Sequence, residues 1–168
     1  IKPATIWDRT RYCNIWTGNL GGGLLGYAQF PDNSTLPGMP GGAGGAANTD
    51  GVVCTYTSIG SVAMPHPAGG PYNAGRTLTH EIGHWIGLRH IWGDGGCGAD
   101  DFCADTPNAG GSNFGCPNTN DSCAGDADRD MVENYMDYTD DTCMDIFTND
   151  QVARMIVVLQ NSPGRTTL

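Results

Sequence analysis

The eleven residues from His80 to His90 constrain this chain more than any other segment. They contain three of its four His and one of its two Glu. Residues four apart return to the same face of an α-helix, about 6 Å apart along its axis, so His80 and His84 can share one ion. A left-handed turn at Gly87 would bring His90 to the same point. The pattern predicts a helix over Arg76 to Leu88 and a three-histidine metal site.

The carboxylate of Glu81 follows the first histidine directly. It is rotated about 100° from His80, where it can reach water at the ion without binding the metal. Three imidazoles leave one zinc position open, as in catalytic rather than structural sites. A catalytic Zn²⁺ lowers the pKa of that water while Glu81 acts as general base. The sequence therefore predicts a zinc endopeptidase.

Two alternatives remain open at this point. One is a non-catalytic binding module of the same fold, stabilised by zinc and calcium, although the intact Glu81 argues against it. The other is a zinc peptidase of the class in which a distant Glu is the third ligand. Glu133 is the only available residue of that type.

The charge and the cysteines indicate the environment. The net charge of −10 comes from 18 acidic against eight basic residues, and no basic stripe can neutralise the phosphates of a nucleic acid. No apolar run approaches the roughly 20 residues that cross a bilayer. Seven Cys without a Cys-x-x-Cys pair favour disulfides over a thiolate zinc site. We expect a secreted, extracellular monomer that acts on peptides or proteins and binds neither nucleic acid nor membranes.

Few regular elements are predicted, because 26 Gly and 10 Pro imply long loops. Arg11 to Trp16 and Leu24 to Phe30 have strand composition and are expected to pair with each other, and Val52 to Ile59 is a third strand. Residues 31–51 are predicted to be a loop.

A second helix is predicted over Thr148 to Gln160. Thr148 and Gln151 fit a capping box at its start. The residues expected to form its buried stripe are Val152, Met155, Ile156 and Leu159.

Several strings of the sequence resemble a known family. His-Glu-x-x-His-x-x-Gly-x-x-His followed by a Met-turn is the metzincin signature, and Asn134 to Tyr138 is a candidate Met-turn about 45 residues after His90. The strings His80 to His90 and Tyr135 to Met144 resemble the pappalysin family, particularly its ulilysin-like members. Similar strings also occur at Tyr12 to Trp16, Leu25 to Pro31, Asp105 to Pro107 and Phe147 to Met155.

The resemblance implies an α+β, metzincin-like zincin catalytic domain over residues 1–168. A small mixed sheet and the zinc-binding active-site helix would form an upper part, residues 1–90. An irregular, disulfide-tied lower subdomain with the Met-turn and the C-terminal helix would form residues 91–168. The family's domain carries further strands and a helix before the strand at Tyr12, so we expect this sequence to lack that N-terminal portion.

The resemblance also assigns roles near the active site. Met136 would form a floor beneath the zinc imidazoles, and Tyr138 would help to stabilise the tetrahedral intermediate. Asp141 would lie at the base of the specificity pocket and select Arg or Lys just after the cut, since a carboxylate pairs well with a guanidinium.

Calcium and disulfides are implied in the same way. The segment that matches the family's calcium site includes Asp101, Asp105 and Thr106. The implied disulfides are Cys97 with Cys123 and Cys116 with Cys143. Three cysteines remain, namely Cys13, Cys54 and Cys103. For these the options are a bond between Cys13 and Cys54, a buried free thiol, or a bond to a segment outside this sequence.

Overall fold

The regular structure consists of short elements joined by long irregular segments. The computed structural model describes residues 1–32, 36–39, 45–125 and 128–168. The helices are α1 (Lys2–Thr5), α2 (Arg76–Trp85) and α3 (Asn149–Asn161), and the strands are β1 (Ile15–Gly18), β2 (Gly26–Ala28) and β3 (Val52–Thr55). Short 3-10 turns lie at Ala47–Thr49 and Tyr56–Ser58. None of the helices within the described residues is both long and apolar enough to cross a membrane.

The three strands form one mixed sheet in the order β1-β3-β2. β1 runs parallel to β3, with Ile15 opposite Val52, and β2 runs antiparallel to it, with Gly26 opposite Cys54. The predicted small mixed sheet is confirmed, but the expected pairing of the first two strands with each other is wrong. All four residues of β3 are buried, whereas β1 and β2 alternate in exposure, so β3 takes the central place.

Two apolar clusters hold α2 between the sheet and the lower part of the chain. The upper cluster is centred on Val52, Cys54 and Trp85, with Leu78 and Ile82 packed against it. The members of the lower cluster are Leu88, Ile91, Ala109 and Met136, and Trp92, Met131, Phe147 and Met155 pack on them. The helix is therefore fixed on both sides.

α2 ends three residues earlier than predicted, at Trp85. Gly87 has a φ of 96°, and the amide of Leu88 donates to the carbonyl of Gly83 at 2.9 Å. The amide of Gly87 donates to the carbonyl of His84 at 3.0 Å. This pair of bonds is a Schellman motif, which closes a helix at a left-handed glycine. The predicted role of Gly87 in ending the helix is confirmed.

α3 begins with the predicted capping box of Thr148 and Gln151. Its buried face, however, differs from the prediction. The exposed members of the expected stripe are Val152 at 42%, Ile156 at 46% and Leu159 at 38% exposure. Gln151, Arg154 and Val158 are buried instead. The polar pair can be buried because both have partners: Gln151 exchanges hydrogen bonds with Asn134 at 2.9 and 3.1 Å, and Arg154 donates to backbone carbonyls.

Disulfides tie the irregular lower part of the chain. They join Cys97 to Cys123 and Cys116 to Cys143, with Cα atoms 5.5 and 5.8 Å apart, and these are the pairs that the resemblance implied. Cys143 of the second bond follows the candidate Met-turn in the chain. The remaining three cysteines are free thiols, so the option of a bond between the first two of them is not realised.

Candidate active site

Three imidazole rings converge beneath α2. The Nε2 atom of His84 lies 3.1 Å from that of His80 and 3.1 Å from that of His90. The ligand atoms of all three rings lie within 4.8 Å of one another, and in the described part of the chain no other three His, Cys, Asp or Glu side chains form such a group. Glu133, the alternative third ligand, is paired with Arg129 at 2.8 Å. The predicted histidines are thus brought together, and Glu133 is not among them.

The other nitrogen of each ring faces a hydrogen-bond acceptor. The acceptors are the carbonyl of Tyr135 at 2.7 Å from His80, the carbonyl of Leu88 at 2.8 Å from His84, and the carboxylate of Asp94 beside His90. Neither a carbonyl nor an ionised carboxylate can donate, so the proton of each neutral ring is on Nδ1 and a lone pair on Nε2 points to the shared centre. Burial, followed by the neighbouring rings, lowers the pKa of His80 and brings that of His84 to about 4. This donor set fits one zinc ion with an open position.

Glu81 is buried and lines a cavity of about 320 Å³ beside the histidines. Burial raises the pKa of its carboxyl group to about 8. The edge strand β2 passes directly over this side chain: a Cβ atom on Gly26 would lie 2.8 Å from Cγ and Oε1 of Glu81. Glycine at this position therefore lets the edge of the sheet approach the carboxylate.

Met136 packs against α2, and Tyr138 lies beside two of the imidazoles. Met136 is fully buried, and its Sδ atom would be 2.5 Å from a Cβ atom on Gly83, so it packs against α2 one residue before His84. The ring centroid of Tyr138 is 5.5 Å from that of His80 and 5.0 Å from that of His90. Burial, and then the charge of Glu81, raises the pKa of Tyr138, so its phenol stays protonated and can donate a hydrogen bond.

Asp141 lines the same cavity as Glu81 and Tyr138. Its Oδ2 atom accepts hydrogen bonds from the amides of Ala74 at 2.7 Å and Arg76 at 3.2 Å, at the start of α2. Its Oδ1 atom is buried and has no hydrogen-bond partner among the described residues. A buried carboxylate oxygen without a partner is costly in free energy, and it is free to accept a hydrogen bond.

The candidate calcium residues are divided between two local contacts. The hydroxyl of Thr106 lies 2.9 Å from both carboxylate oxygens of Asp101, which also accepts from the amide of Cys103. Asp105 accepts from the amide of Asp150 at the start of α3, at 3.0 Å. In the described residues neither carboxylate belongs to a group of three or more potential metal ligands.

Sequence reasoning missed two residues at the third histidine. Trp92 stacks on the ring of His90, with centroids 4.3 Å apart and planes 4° apart, and Asp94 accepts from its Nδ1 atom. The one available signal was a carboxylate four residues after a metal-site histidine, between two glycines.

The chain has a helix with His-Glu-x-x-His, a glycine turn to a third histidine and a buried methionine packed against that helix. These features define a metzincin-type fold. The chain matches the peptidase M43 family model, described as pregnancy-associated plasma protein-A, over residues 3–160. The chain therefore belongs to the pappalysin family, as its sequence motifs implied.

Relatives and solved structures agree with this family. Extracellular metalloprotease 1 of Coccidioides posadasii is 42% identical over 134 residues, which are 80% of this chain and 44% of that protein. An extracellular metalloprotease of Pyricularia oryzae is 40% identical over 156 residues, 92% of this chain and 49% of that protein. Mature mirolysin of Tannerella forsythia, solved in complex with a cleaved peptide, is 47% identical with a TM-score of 0.79, over 96% of this chain and 57% of that one. The chain thus spans about half the length of the curated relatives it matches.

Proposed function

We propose that this protein is a secreted zinc endopeptidase, with His80, His84 and His90 as the zinc ligands and Glu81 as the general base. The observation that carries the proposal is the convergence of three Nε2 atoms on one point, next to an open cavity that His80 and the buried Glu81 line. Relatives named extracellular metalloproteases support both the activity and the location. We further propose one catalytic domain over residues 1–168, acting as a monomer.

The residues around the cavity have complementary roles in peptide hydrolysis. Zinc at the three histidines would supply Lewis-acid chemistry, which lowers the pKa of water and polarises a carbonyl group. Glu81 takes a proton from the attacking water and gives it to the leaving amine. The protonated Tyr138 donates a hydrogen bond to the oxygen that becomes negative in the tetrahedral intermediate. Met136 supports the imidazoles from below.

The substrate would lie in an extended conformation along β2. This strand is an edge of the described sheet, and its backbone passes directly over Glu81. Main-chain hydrogen bonds to an edge strand align a peptide without reading its sequence. The residue after the cut would then enter the cavity, where the unpaired Oδ1 atom of Asp141 favours Arg or Lys.

Substitution of the proposed base tests this mechanism against a non-catalytic zinc module. Glu81→Gln should keep the zinc content of the wild type and reduce kcat/KM on peptides at least about 100-fold, because the base is removed. Glu133→Gln, the same change at the other glutamate, should retain activity. Zinc content by mass spectrometry and cleavage of a quenched fluorescent peptide measure both effects. Wild-type cleavage by the Glu81→Gln protein, or a wild type without cleavage, would contradict the proposal.

The specificity proposal needs a separate experiment. A diverse peptide mixture digested with and without a zinc chelator should show chelator-sensitive cuts with Arg or Lys just after them. Asp141→Asn should keep cutting but lose this preference. Cuts without any excess of Arg or Lys would reject the role of Asp141 and leave the zinc mechanism intact.

We also propose a structural calcium ion in the segment of Asp101, Asp105 and Thr106. Asp101 is buried and lies beside the Thr106 hydroxyl, and carboxylate, hydroxyl and loop carbonyl oxygens suit this hard cation. Added calcium should raise the Tm of the wild type but not that of Asp101→Asn. Equal Tm values with and without calcium in the wild type would reject the site.

A further inference from the structure

The three histidines of the site differ in what holds their Nδ1 atoms. His80 and His84 donate to backbone carbonyls, which are neutral and belong to Tyr135 and Leu88. His90 donates to the side-chain carboxylate of Asp94. The third ring is therefore oriented by an anion, and by a side chain rather than by the backbone.

Asp94 is held in place by unusual local structure. Its φ is 63°, in the left-handed region that side chains other than Asn, Asp and Gly seldom adopt. The guanidinium of Arg89 lies 3.3 Å from the second carboxylate oxygen of Asp94 and also donates to the carbonyl of Gly38. Trp92, two residues before Asp94, lies flat on the ring of His90. Asp adopts this conformation more readily than most residues, and here it brings the carboxylate to the ring of His90.

We propose that Asp94 is a positioning residue for the zinc site: it fixes the orientation of the His90 ring and strengthens the Nε2 atom as a metal donor. A carboxylate at Nδ1 keeps the proton on that nitrogen and increases the electron density at the opposite one. A charge-assisted hydrogen bond also restrains the ring more strongly than a bond to a carbonyl. Trp92 limits tilting of the ring, and Arg89 restrains the carboxylate. This inference rests on the proposed zinc function.

Two substitutions separate the charge of Asp94 from its hydrogen bond. Asp94→Asn keeps an acceptor for His90 and tolerates the left-handed backbone but removes the charge. Asp94→Gly removes the side chain and accepts the same φ without strain, which Asp94→Ala would not. Asp121→Asn, an exposed carboxylate in the lower part of the chain, is the control for the change in net charge.

Zinc affinity, measured on the full chain by competition with a chelating dye, is the primary readout. We expect the zinc Kd to rise about 10-fold in Asp94→Asn and about 100-fold in Asp94→Gly, the range found when partners of metal-bound histidines are removed. Asp121→Asn should bind zinc like the wild type. The absorption spectrum of the cobalt-substituted protein should change in the same order, because it reports the ligand geometry.

The stability of the metal-free protein distinguishes positioning from a purely structural role. If Asp94 positions the zinc site, the metal-free wild type, Asp94→Asn and Asp94→Gly proteins should have similar Tm values. With zinc bound, the Tm values of the two variants should be lower than that of the wild type. Wild-type zinc affinity in both Asp94 variants would overturn the proposal, as would a loss of Tm in the metal-free state with no change in Kd. Peptide cleavage is not needed for either readout, so a failure here is distinguishable from a failure of the endopeptidase proposal.

Discussion

The Nε atom of Arg154 donates a hydrogen bond to the carbonyl oxygen of Gly87 over 2.8 Å, and so joins α3 to the turn between the second and third histidines. The Nη2 atom of the same side chain donates to the carbonyl of Pro37, also at 2.8 Å. Arg154 is buried, and its bond to Gly87 is shielded from water, while the bond to Pro37 is partly buried. The turn that places His90 therefore depends on a helix 67 residues further along the chain.

Arg154→Met should lower the free energy of unfolding by about 1–3 kcal/mol. Methionine retains much of the apolar stem, so the main loss is of the hydrogen bonds, which leaves two carbonyls without their partner. Urea unfolding monitored by circular dichroism measures the change. Val152→Ala, on the exposed face of the same helix, should change stability by no more than about 0.5 kcal/mol. Equal losses of stability in Arg154→Met and Val152→Ala would contradict the assignment of a buried and an exposed face to α3.

These contacts show which features the sequence can predict. The spacing of four residues places His80 and His84 on one face of a helix. The spacing of three residues identifies the capping box of Thr148 and Gln151. Both predictions succeed because the residues involved are close in sequence. The buried face of α3 was mispredicted because hydrophobicity alone ignores Arg154, whose burial depends on carbonyls in distant turns.

The sheet and the site contained further non-local features. β3 is the central strand because the other two strands pair with its two edges. The composition of strands of three or four residues does not reveal which of them is central. Asp94 was missed for a different reason: its left-handed conformation and its contact with His90 exist only once the glycine turn has formed. Local rules thus predicted the ligands, and the folded structure was needed for what orients them.

Gly87→Ala should destabilise the protein by more than the cost of a left-handed residue alone. That conformation costs an L-residue about 1–2 kcal/mol. At Gly87 the added Cβ atom would also lie 2.6 Å from Cγ2 of Val158. Gly22→Ala is the matched control, since Gly22 has a φ of 71° with nothing within 4 Å of an added Cβ.

A double-mutant cycle with Val158→Ala separates strain from steric contact at Gly87. If the contact contributes, Gly87→Ala should cost less free energy of unfolding in the Val158→Ala background than in the wild type. The same cost in both backgrounds would assign the whole effect to the backbone. Zinc Kd should rise with the loss of stability, because Gly87 lies three residues before His90.

The buried ion pair of Arg165 and Asp50 predicts a large effect of removing one partner. The Nη2 atom of Arg165 donates to Asp50 at 2.8 Å, and its guanidinium lies 3.8 Å from the ring centroid of Trp85, whose Nε1 also donates to Asp50. Arg165→Met should cost about 3–5 kcal/mol, because it leaves a buried carboxylate without its cation. Adding Asp50→Asn should recover part of this loss, and thermal or urea unfolding of all four proteins gives the coupling. Additive losses in the double variant would contradict a direct pair.

We expect the charge of Asp141 to reduce the stability of the fold while it serves the specificity of the cavity, to an extent that depends on pH. Burial raises the pKa of this carboxyl group above its ordinary value of 3.8, and the hydrogen bonds from Ala74 and Arg76 offset only part of the shift. The folded state therefore favours the protonated form. The stability that this group contributes is complete below pH 3.8 and is lost as the pH rises through the raised pKa.

Asp141→Asn should consequently gain stability relative to the wild type as the pH rises from about 4 to 7, while losing the preference for a cation after the cut. The asparagine carbonyl can accept the two amides, and its NH₂ group replaces the unpaired Oδ1 atom. Urea unfolding across this pH range at fixed zinc measures the first effect. Paired peptides with Arg or its neutral isostere citrulline after the cut measure the second: the wild type should prefer Arg and the variant should not. A variant that loses stability relative to the wild type as the pH rises, or that still prefers Arg to citrulline, would show that the unpaired carboxylate is not the recognition group of the cavity.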